Sequence, residues 1–569
     1  MCILPVPVLV TGLPRSLLAR TELMTSLQAR NAARRAELAG PSGLRGVMKN
    51  PRLLRLAAIT TLGALCYGYE QGSYSQVLVM PSFTNDPKFA RIAHDSSYKG
   101  WSVSTLGAGG WAGALSNGYL CDIISRRWTL LLGALICCLG TGLTAGAQNA
   151  AMMFVGRFFI GWAVGSLSAA VPLYNSEISS PELRGTIVSI QQLAIVTGIM
   201  ISFWVGYGTN FISETNSVSW RLCLALQGVP ALLLAALTFT LPYTPRWLIR
   251  QGRKEEALET LSWLRKESKD SEIVQLEFIE IQAEAMLEAE TTAEKFPHLV
   301  GGSAWTSFKL QVARFGELFT TLHMFRRTAV ACLMQFFQQM SGIDCIVYYA
   351  PFIFESLQLP GKTVSLLASG VVGVVFVIST FPAIATIDHI GRRPLLIAGG
   401  VGMAVMLILV AALTATYQPD WNNPAAAWSA AVFIWLYTGF FGASWGPVSW
   451  TVISEVFPLS TRAHGVAIGA STNWITNFAV SIIVPIMLEH ITYGTYLFFL
   501  MFMLMGIGYA IWILPETYGK SLEEMDLVFG SGEAQAEAAR MERILRGLHG
   551  EYNRPASVYS EKGAVEAKV

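Results

Sequence analysis

Charge is scarce in this 569-residue chain: Asp, Glu, Lys and Arg together make up 14% of it, against about 25% in a soluble domain. Forty basic side chains meet 38 acidic ones, leaving a net charge of +2. So little charge, so evenly balanced, excludes a polyanion-binding surface and with it a nucleic-acid partner. Low charge with 53% apolar residues also excludes a disordered chain. Histidine is rare, seven in all, and His94, His298, His323 and His389 fall in loops. No catalytic constellation, metal cluster or cofactor site is indicated, so an enzyme is not expected. The eight cysteines, at 2, 66, 121, 137, 138, 223, 332 and 345, include no Cys-x-x-Cys pair. They read as small buried hydrophobes rather than a zinc or redox site. Asn-x-Ser/Thr sequons are missing too.

What the chain has instead is long apolar runs. Mean hydropathy is +0.45, and a transmembrane helix needs about 20 apolar residues. Twelve such runs are expected, roughly 57–79, 101–121, 128–147, 151–174, 188–208, 220–241, 327–350, 364–387, 394–415, 428–452, 464–487 and 495–514. Each must be a helix, because lipid offers backbone amides no other partner. The expected fold is an all-α polytopic membrane protein with twelve transmembrane helices in two six-helix bundles. The divisions are a tail at 1–56, a bundle at 57–241, a polar linker at 242–326, a second bundle at 327–514 and a tail at 515–569. The run Leu4–Val10 is too short to span and lacks a preceding basic segment, so it does not read as a signal peptide. The first 56 residues hold nine basic and two acidic side chains. With Arg126, Arg127, Arg184, Arg246, Arg250, Arg392, Arg393 and Arg462 they place both termini and the linker in the cytoplasm. In the linker Ala257, Leu258, Leu261 and Leu264 recur at helical spacing, which predicts amphipathic helices on that face. These serve either as a latch between the bundles or as a solvated connection.

The halves repeat. Glu177 and Arg184 sit seven residues apart at the end of the fourth run, and Glu455 and Arg462 sit seven apart at the end of the tenth. Asp122-Ile-Ile-Ser-Arg126-Arg127 follows the second run as Asp388-His-Ile-Gly391-Arg392-Arg393 follows the eighth. Pro242-x-x-Pro245-Arg246 ends the first half and Pro515-Glu516-Thr517 the second. Such duplication is a transporter signature, with cargo held between the halves near the midplane. With the span 7 segment Gln338-Gln339-Met-Ser-Gly342-Ile-Asp344 and Tyr348-Tyr349, the run Gly446-Pro447-Val-Ser-Trp450, and Gly156-Arg157 through Pro172, Tyr174 and Glu177, these motifs resemble the sugar porter family of the major facilitator superfamily, most of all its fungal members. The resemblance covers about residues 57–526. It departs from the family in the loop at 122–127, which lacks the first Arg and the Gly, in Pro242-Tyr-Thr-Pro245 for the usual Glu-Ser, in Asp344 for an Asn, and in Glu70 for an Asp.

Ionisable groups deep in an apolar run are functional candidates by default. They are Glu70, Arg157 and Asp344. The resemblance implies that Glu70 pairs with Arg157 and couples transport to a proton; a static ion pair joining two helices is the alternative. Asp344 either turns preference away from ordinary hexoses or, when protonated, mimics the usual Asn. The resemblance makes Gln192, Gln338, Gln339, Trp445 and Asn473 sugar contacts, with Trp474 beside them. Their alternative roles are interhelical hydrogen bonds for the amides and packing for the tryptophans. Glu177 with Arg184, Glu455 with Arg462, and Asp122 and Asp388 with Arg126, Arg127, Arg392 and Arg393 are expected to form a cytoplasmic gate of individually weak ion pairs. The expected function is a sugar carrier of the plasma membrane, with proton symport; a facilitator of sugars or polyols and a transporter-like sensor are the alternatives. No ring of like charges suggests a channel.

Overall fold

The computed structural model of the chain describes residues 27–38, 43–299, 304–359, 363–418, 420–458, 461–518, 525, 528–530 and 533–552. Among them there is no strand. Twelve spans follow one another: Pro51–Val77, Ser96–Ile123, Arg126–Ala145, Ala150–Ile178, Pro181–Asn210 and Val218–Thr238, then Leu322–Ser356, Val364–Ile390, Arg392–Tyr417, Pro424–Glu455, Arg462–His490 and Gly494–Trp512. They are numbered here span 1 to span 12. Ten of them contain stretches long and apolar enough to cross a membrane. Spans 1 and 2 fall outside that set because they are rich in Gly, Ser, Thr and Tyr. Span 1 is buried along most of its length, so protein rather than lipid is its solvent.

Local chemistry sets the helix starts. Asn50, Asp95 and Asn149 accept backbone N–H bonds from Leu53, Tyr98 and Met152 at the heads of spans 1, 2 and 4. Span 3 begins at Ser125 (φ 84°, ψ 157°) and span 9 at Gly391 (φ 95°, ψ 163°). The turn that needs glycine in the second half is therefore kept in the first by a serine, in a region that is essentially glycine's alone. The Ser125 hydroxyl accepts from Trp128 N, 3.4 Å, which offsets part of that strain.

The pairings repeat with the sequence. Span 4 packs on spans 2 and 3 as span 10 packs on spans 8 and 9, and span 1 packs on span 5 as span 7 packs on span 11. Span 2 against span 11 and span 5 against span 8 join the halves. In span 2 the glycines make this possible: a Cβ on Gly110 would lie 2.3 Å from the Trp474 ring, and one on Gly100 would lie 2.5 Å from the Ile482 carbonyl. Toward the linker, Gly118 has nothing within 4 Å of such a Cβ. The seam is thus tight on the face away from the linker. There Lys99 of span 2, 5% exposed, holds its ammonium 3.8 Å from the Phe352 ring of span 7, and Tyr349 donates to the Ser481 carbonyl, 2.8 Å.

The symmetry is broken in one respect. Spans 1 and 4 are continuous, but span 7 breaks at Ser341–Gly342 (Gly342 φ 96°) and span 10 at Ser444 (φ −141°, ψ −84°).

The linker forms helices on one face, Pro245–Arg250, Lys254–Arg265, Glu272–Lys295 and Ala304–Glu317. Ala257, Leu261 and Leu264 are buried. Arg265 fixes this layer to the first half, donating to the Ile178 carbonyl (3.1 Å) and pairing with Glu277 (2.6 Å). The tails, which sequence patterning left unassigned, fold onto the same layer. Helices Leu27–Leu38 and Glu533–Tyr552 pack on Glu272–Lys295. Met541, Ile544 and Leu545 bury against Ile279, Ala283 and Leu287. Ion pairs ring that core: Arg34–Glu272 at 2.7 Å, Arg543–Glu290 at 2.6 Å, Arg35–Glu280 and Arg540–Glu294. Glu542 accepts from the Leu27 N–H, 2.9 Å.

Two expectations follow. Ser125→Gly relieves the strain at the head of span 3 and raises stability by about 1 kcal/mol; a lower melting temperature in detergent would show that the lost hydroxyl cap matters more. Leu545→Asp places an unpaired charge among apolar side chains and should speed proteolysis within 533–552 by tenfold or more, on the order of 1.4 kcal/mol of local opening. Arg543→Glu, which breaks an exposed pair, should change that rate by less than about fivefold.

Candidate functional site

Span 1 carries Gly68 and Gly72 on either side of Glu70, and a Cβ on Gly68 would fall 1.8 Å from the Ile195 carbonyl of span 5. That close approach seats Glu70 deep in the first half. Its Oε1 accepts from Arg157 Nη1 of span 4 at 2.8 Å, with both side chains 1% exposed. The rest of the guanidinium is equally occupied. Nε donates to the Ser102 carbonyl (2.6 Å), Nη2 to the Val103 carbonyl (3.0 Å), and the plane lies 3.7 Å from the Tyr74 ring centre. Glu70 Oε2 is buried and accepts no hydrogen bond within 3.5 Å, with the Gln227 amide of span 6 beside the carboxyl. The Glu70–Arg157 pair is thus contained within the first half.

In the second half the amides meet. Asn473 of span 11 donates to Gln338 Oε1 (2.6 Å) and Gln335 Oε1 (2.8 Å), and accepts from Gln339 Nε2 (2.9 Å). Three buried polar atoms in this layer have no partner: Gln335 Nε2, Gln339 Oε1 and Trp474 Nε1. Gln335 was legible in principle, since it shares a helix face with Gln338 and Gln339 at i+3 and i+4. Asn477, four residues after Asn473, was equally legible. It donates to Asp344 Oδ2 at 2.5 Å and to the Tyr348 hydroxyl at 3.2 Å. The break at Gly342 turns Asp344 into the first turn of the half-helix Ile343–Ser356.

Across the seam, span 1 presents Tyr67 and Gln71, with Gln71 Nε2 3.5 Å from the Tyr67 hydroxyl. Tyr67 meets Trp474 with ring centres 5.3 Å apart. Gln71 is the residue after Glu70, so the ion pair and this interfacial cluster are chain neighbours.

The other expected contacts are placed differently. Trp445 is 0% exposed and spends its indole N–H on the Leu396 carbonyl, 2.9 Å, inside the second half. Its ring packs on Gly400 and Gly506, so its faces are taken by protein; Trp450 is only half-buried. Gln192 is half-buried on span 5. Its neighbour Gln191 is buried with Oε1 unpartnered.

The charge network also differs from expectation. Glu177 pairs with Arg126 (3.1 Å), which also reaches Asp122 (3.1 Å), and Glu455 pairs with Arg392 (2.8 Å). The positive-φ turns at Ser125 and Gly391 explain this, because they point the next Arg under the end of span 4 or span 10. Arg462 lies near Glu284 and Arg246 of the linker as well as near Glu455; Glu284 and Arg246 pair with each other at 2.7 Å. The side chains of Arg184 and Asp388 lie outside the described residues. Arg127 donates to the Phe239 carbonyl, 2.9 Å, and Arg393 to that of Ile511.

The Glu177–Arg126–Asp122 and Glu455–Arg392 pairs each stay within one half. What crosses between halves on this face is the linker: Gln311 donates to Asp122 Oδ2 (3.3 Å) and accepts from His464 Nε2 of span 11 (2.7 Å). Beyond span 12, Glu516 receives the Arg392 and Arg393 backbone N–H groups, 3.0 Å each, and Thr517 donates to Glu455 at 2.6 Å. Partial burial raises the affinity of Glu516 for a proton. The N–H donors of Tyr518, Arg392, Arg393 and Thr517 outweigh it and hold the carboxyl below its ordinary range.

The site therefore joins a charge-balanced acid–base pair to an uncharged hydrogen-bonding layer across a seam between two repeats. The model of the family described as sugar (and other) transporter matches residues 56–529. A probable quinate permease of Aspergillus niger is 32% identical over 490 residues, 84% of this chain and 88% of the relative. A quinate permease of Emericella nidulans is 31% identical over 507 residues, 87% and 92% respectively. The proton:xylose symporter XylE bound to 6-bromo-6-deoxy-D-glucose superposes with a TM-score of 0.67 at 25% identity, over 84% of this chain and all of that one. A multi-pass transporter of two repeated six-span halves, the chain belongs to the sugar transporter family, the sugar porters of the major facilitator superfamily.

Proposed function

We propose that the chain carries a small, neutral, polyhydroxylated ring, a sugar or a carbocyclic polyol, across the plasma membrane by alternating access, together with a proton. The observation that carries this reading is the contrast within the site: amide, phenol and indole groups at the seam, with the one buried guanidinium there already committed to Glu70. Amides can both donate to and accept from hydroxyl groups. The basic residues on the linker face put that face in the cytoplasm.

Coupling follows from the ion pair. Arg157 favours the ionised form of Glu70 while they touch; a shift of span 4 against span 1 that separates them favours a proton on the carboxyl, and their return favours its release. Cytoplasmic release is driven by the membrane potential, about 2.3 kcal/mol per 100 mV for the charge moved.

The names of the relatives favour a second reading, a ring acid such as quinate. Its carboxylate would enter a site that already holds Asp344 and whose Arg157 is engaged, so a neutral cargo is preferred.

Labelled uptake of D-xylose, D-glucose, myo-inositol and quinate in a host without its own carriers tests this. Uptake of a neutral cargo should rise as external pH falls and alkalinise the medium. Glu70→Gln should abolish accumulation while retaining exchange, and quinate uptake alone would establish the second reading. Gln338→Ala should raise KM about tenfold, the loss of one to two hydrogen bonds, with Vmax nearly unchanged.

A further inference from the structure

We propose that Asp344 is a proton-binding site in its own right, separate from the Glu70–Arg157 pair, and that it must hold a proton for the two halves to close over it. This rests on the carrier reading above.

Glu70, deep in the first half, and Asp344, at the seam, are both buried carboxyl groups, and of the two Glu70 alone has a counter-charge among the described residues. Glu70 has Arg157 at 2.8 Å. Asp344 is 4% exposed and takes part in no ion pair among the described residues. Its hydrogen-bond donor is the neutral amide of Asn477, 2.5 Å from Oδ2. The titratable groups around it are Tyr348 and Cys345 of its own helix, Tyr67 of span 1 and Tyr437 of span 10. All four are uncharged near neutral pH. Span 11 adds only the Asn477 amide. The first turn of a half-helix favours negative charge, yet no backbone N–H among the described residues reaches the Asp344 carboxyl. A lone anion in water-free surroundings is disfavoured, whereas the neutral acid needs only hydrogen bonds. Opening the seam lets water solvate the anion.

The proton therefore comes from water on the open side and bonds to Oδ1, the oxygen that Asn477 leaves free. It returns to water when the seam reopens and the O–H bond breaks. The rate at which the carrier reorients then falls as pH rises, because the ionised form cannot be buried. An Asn at this position is permanently neutral and removes the part of the dependence that Asp344 contributes.

The test uses full-length protein in lipid vesicles, with Glu70→Gln as the background so that Glu70 no longer titrates. Infrared spectra at neutral pH should show the carbonyl band of a buried protonated carboxyl, and adding Asp344→Asn should remove it. Exchange of labelled D-xylose, myo-inositol and quinate should slow with rising pH, approaching tenfold per unit for one proton, and become level with Asp344→Asn. An unchanged band, or the same pH profile in both variants, overturns the proposal. A band that Asp344→Asn removes, with no cargo exchanged by any form, upholds the proton site and refutes the carrier reading instead. The wild-type protein supplies the same band as a check, should the double variant fold poorly.

Discussion

A bilayer core contains no water, so every polar atom placed there must find its partner on another helix or on cargo. The arrangement of this chain follows from that constraint. Polar residues concentrate on spans 1, 2, 7 and 11, and those spans meet at the seam. Spans 9 and 12, which carry little besides apolar side chains, stand with one face to lipid. Arg157 is the extreme case: its charge is tolerated because a carboxylate, two carbonyls and an aromatic ring surround it at once. Removing any of these exposes a buried donor that nothing else can reach.

Much of this was legible because membrane helices announce themselves by length and apolarity, and because the chain says the same thing twice. Charges in apolar runs singled out Glu70 and Arg157, and their pairing was implied by the resemblance to sugar porters. The break of span 7 could be read from Gly342, which alone accommodates φ near 96° at a position pressed against Phe499. Partner choice among charges was less legible. Glu455 shares a seven-residue spacing with Arg462, yet it pairs with Arg392 of span 9, as Glu177 pairs with Arg126 of span 3. Sequence distance cannot reveal where a positive-φ turn aims the following side chain. Which of its two roles Trp445 takes was not legible for a related reason. A tryptophan beside a helix break points wherever the break turns it, here into the bundle. Gln335 and Asn477 were visible by helical spacing alone, but their importance depends on which helix faces them.

The repeat also shows how unequal the two halves have become. The first half bears the paired charge on unbroken spans 1 and 4; the second bears the breaks in spans 7 and 10, the amide layer and the acid without a counter-charge among the described residues. The same turn is built from serine in one half and glycine in the other. Backbone geometry outlasts the residue that suits it best, because neighbouring helices hold the turn in place. The cost falls on local strain rather than on the packing of span 3.

The tails give the molecule a property that its spans alone do not suggest. Each half is continued by a terminal helix, and both helices rest on Glu272–Lys295, which is itself fixed to the first half through Arg265 and Glu277. The polypeptide is thereby closed into a ring by non-covalent contacts. A cut between residues 296 and 321 would leave the severed halves joined by the helix at 533–552, at the high effective concentration of an intramolecular contact. The peptide connection between halves is in that sense redundant, and the protein has the topology of a circularised chain while remaining linear.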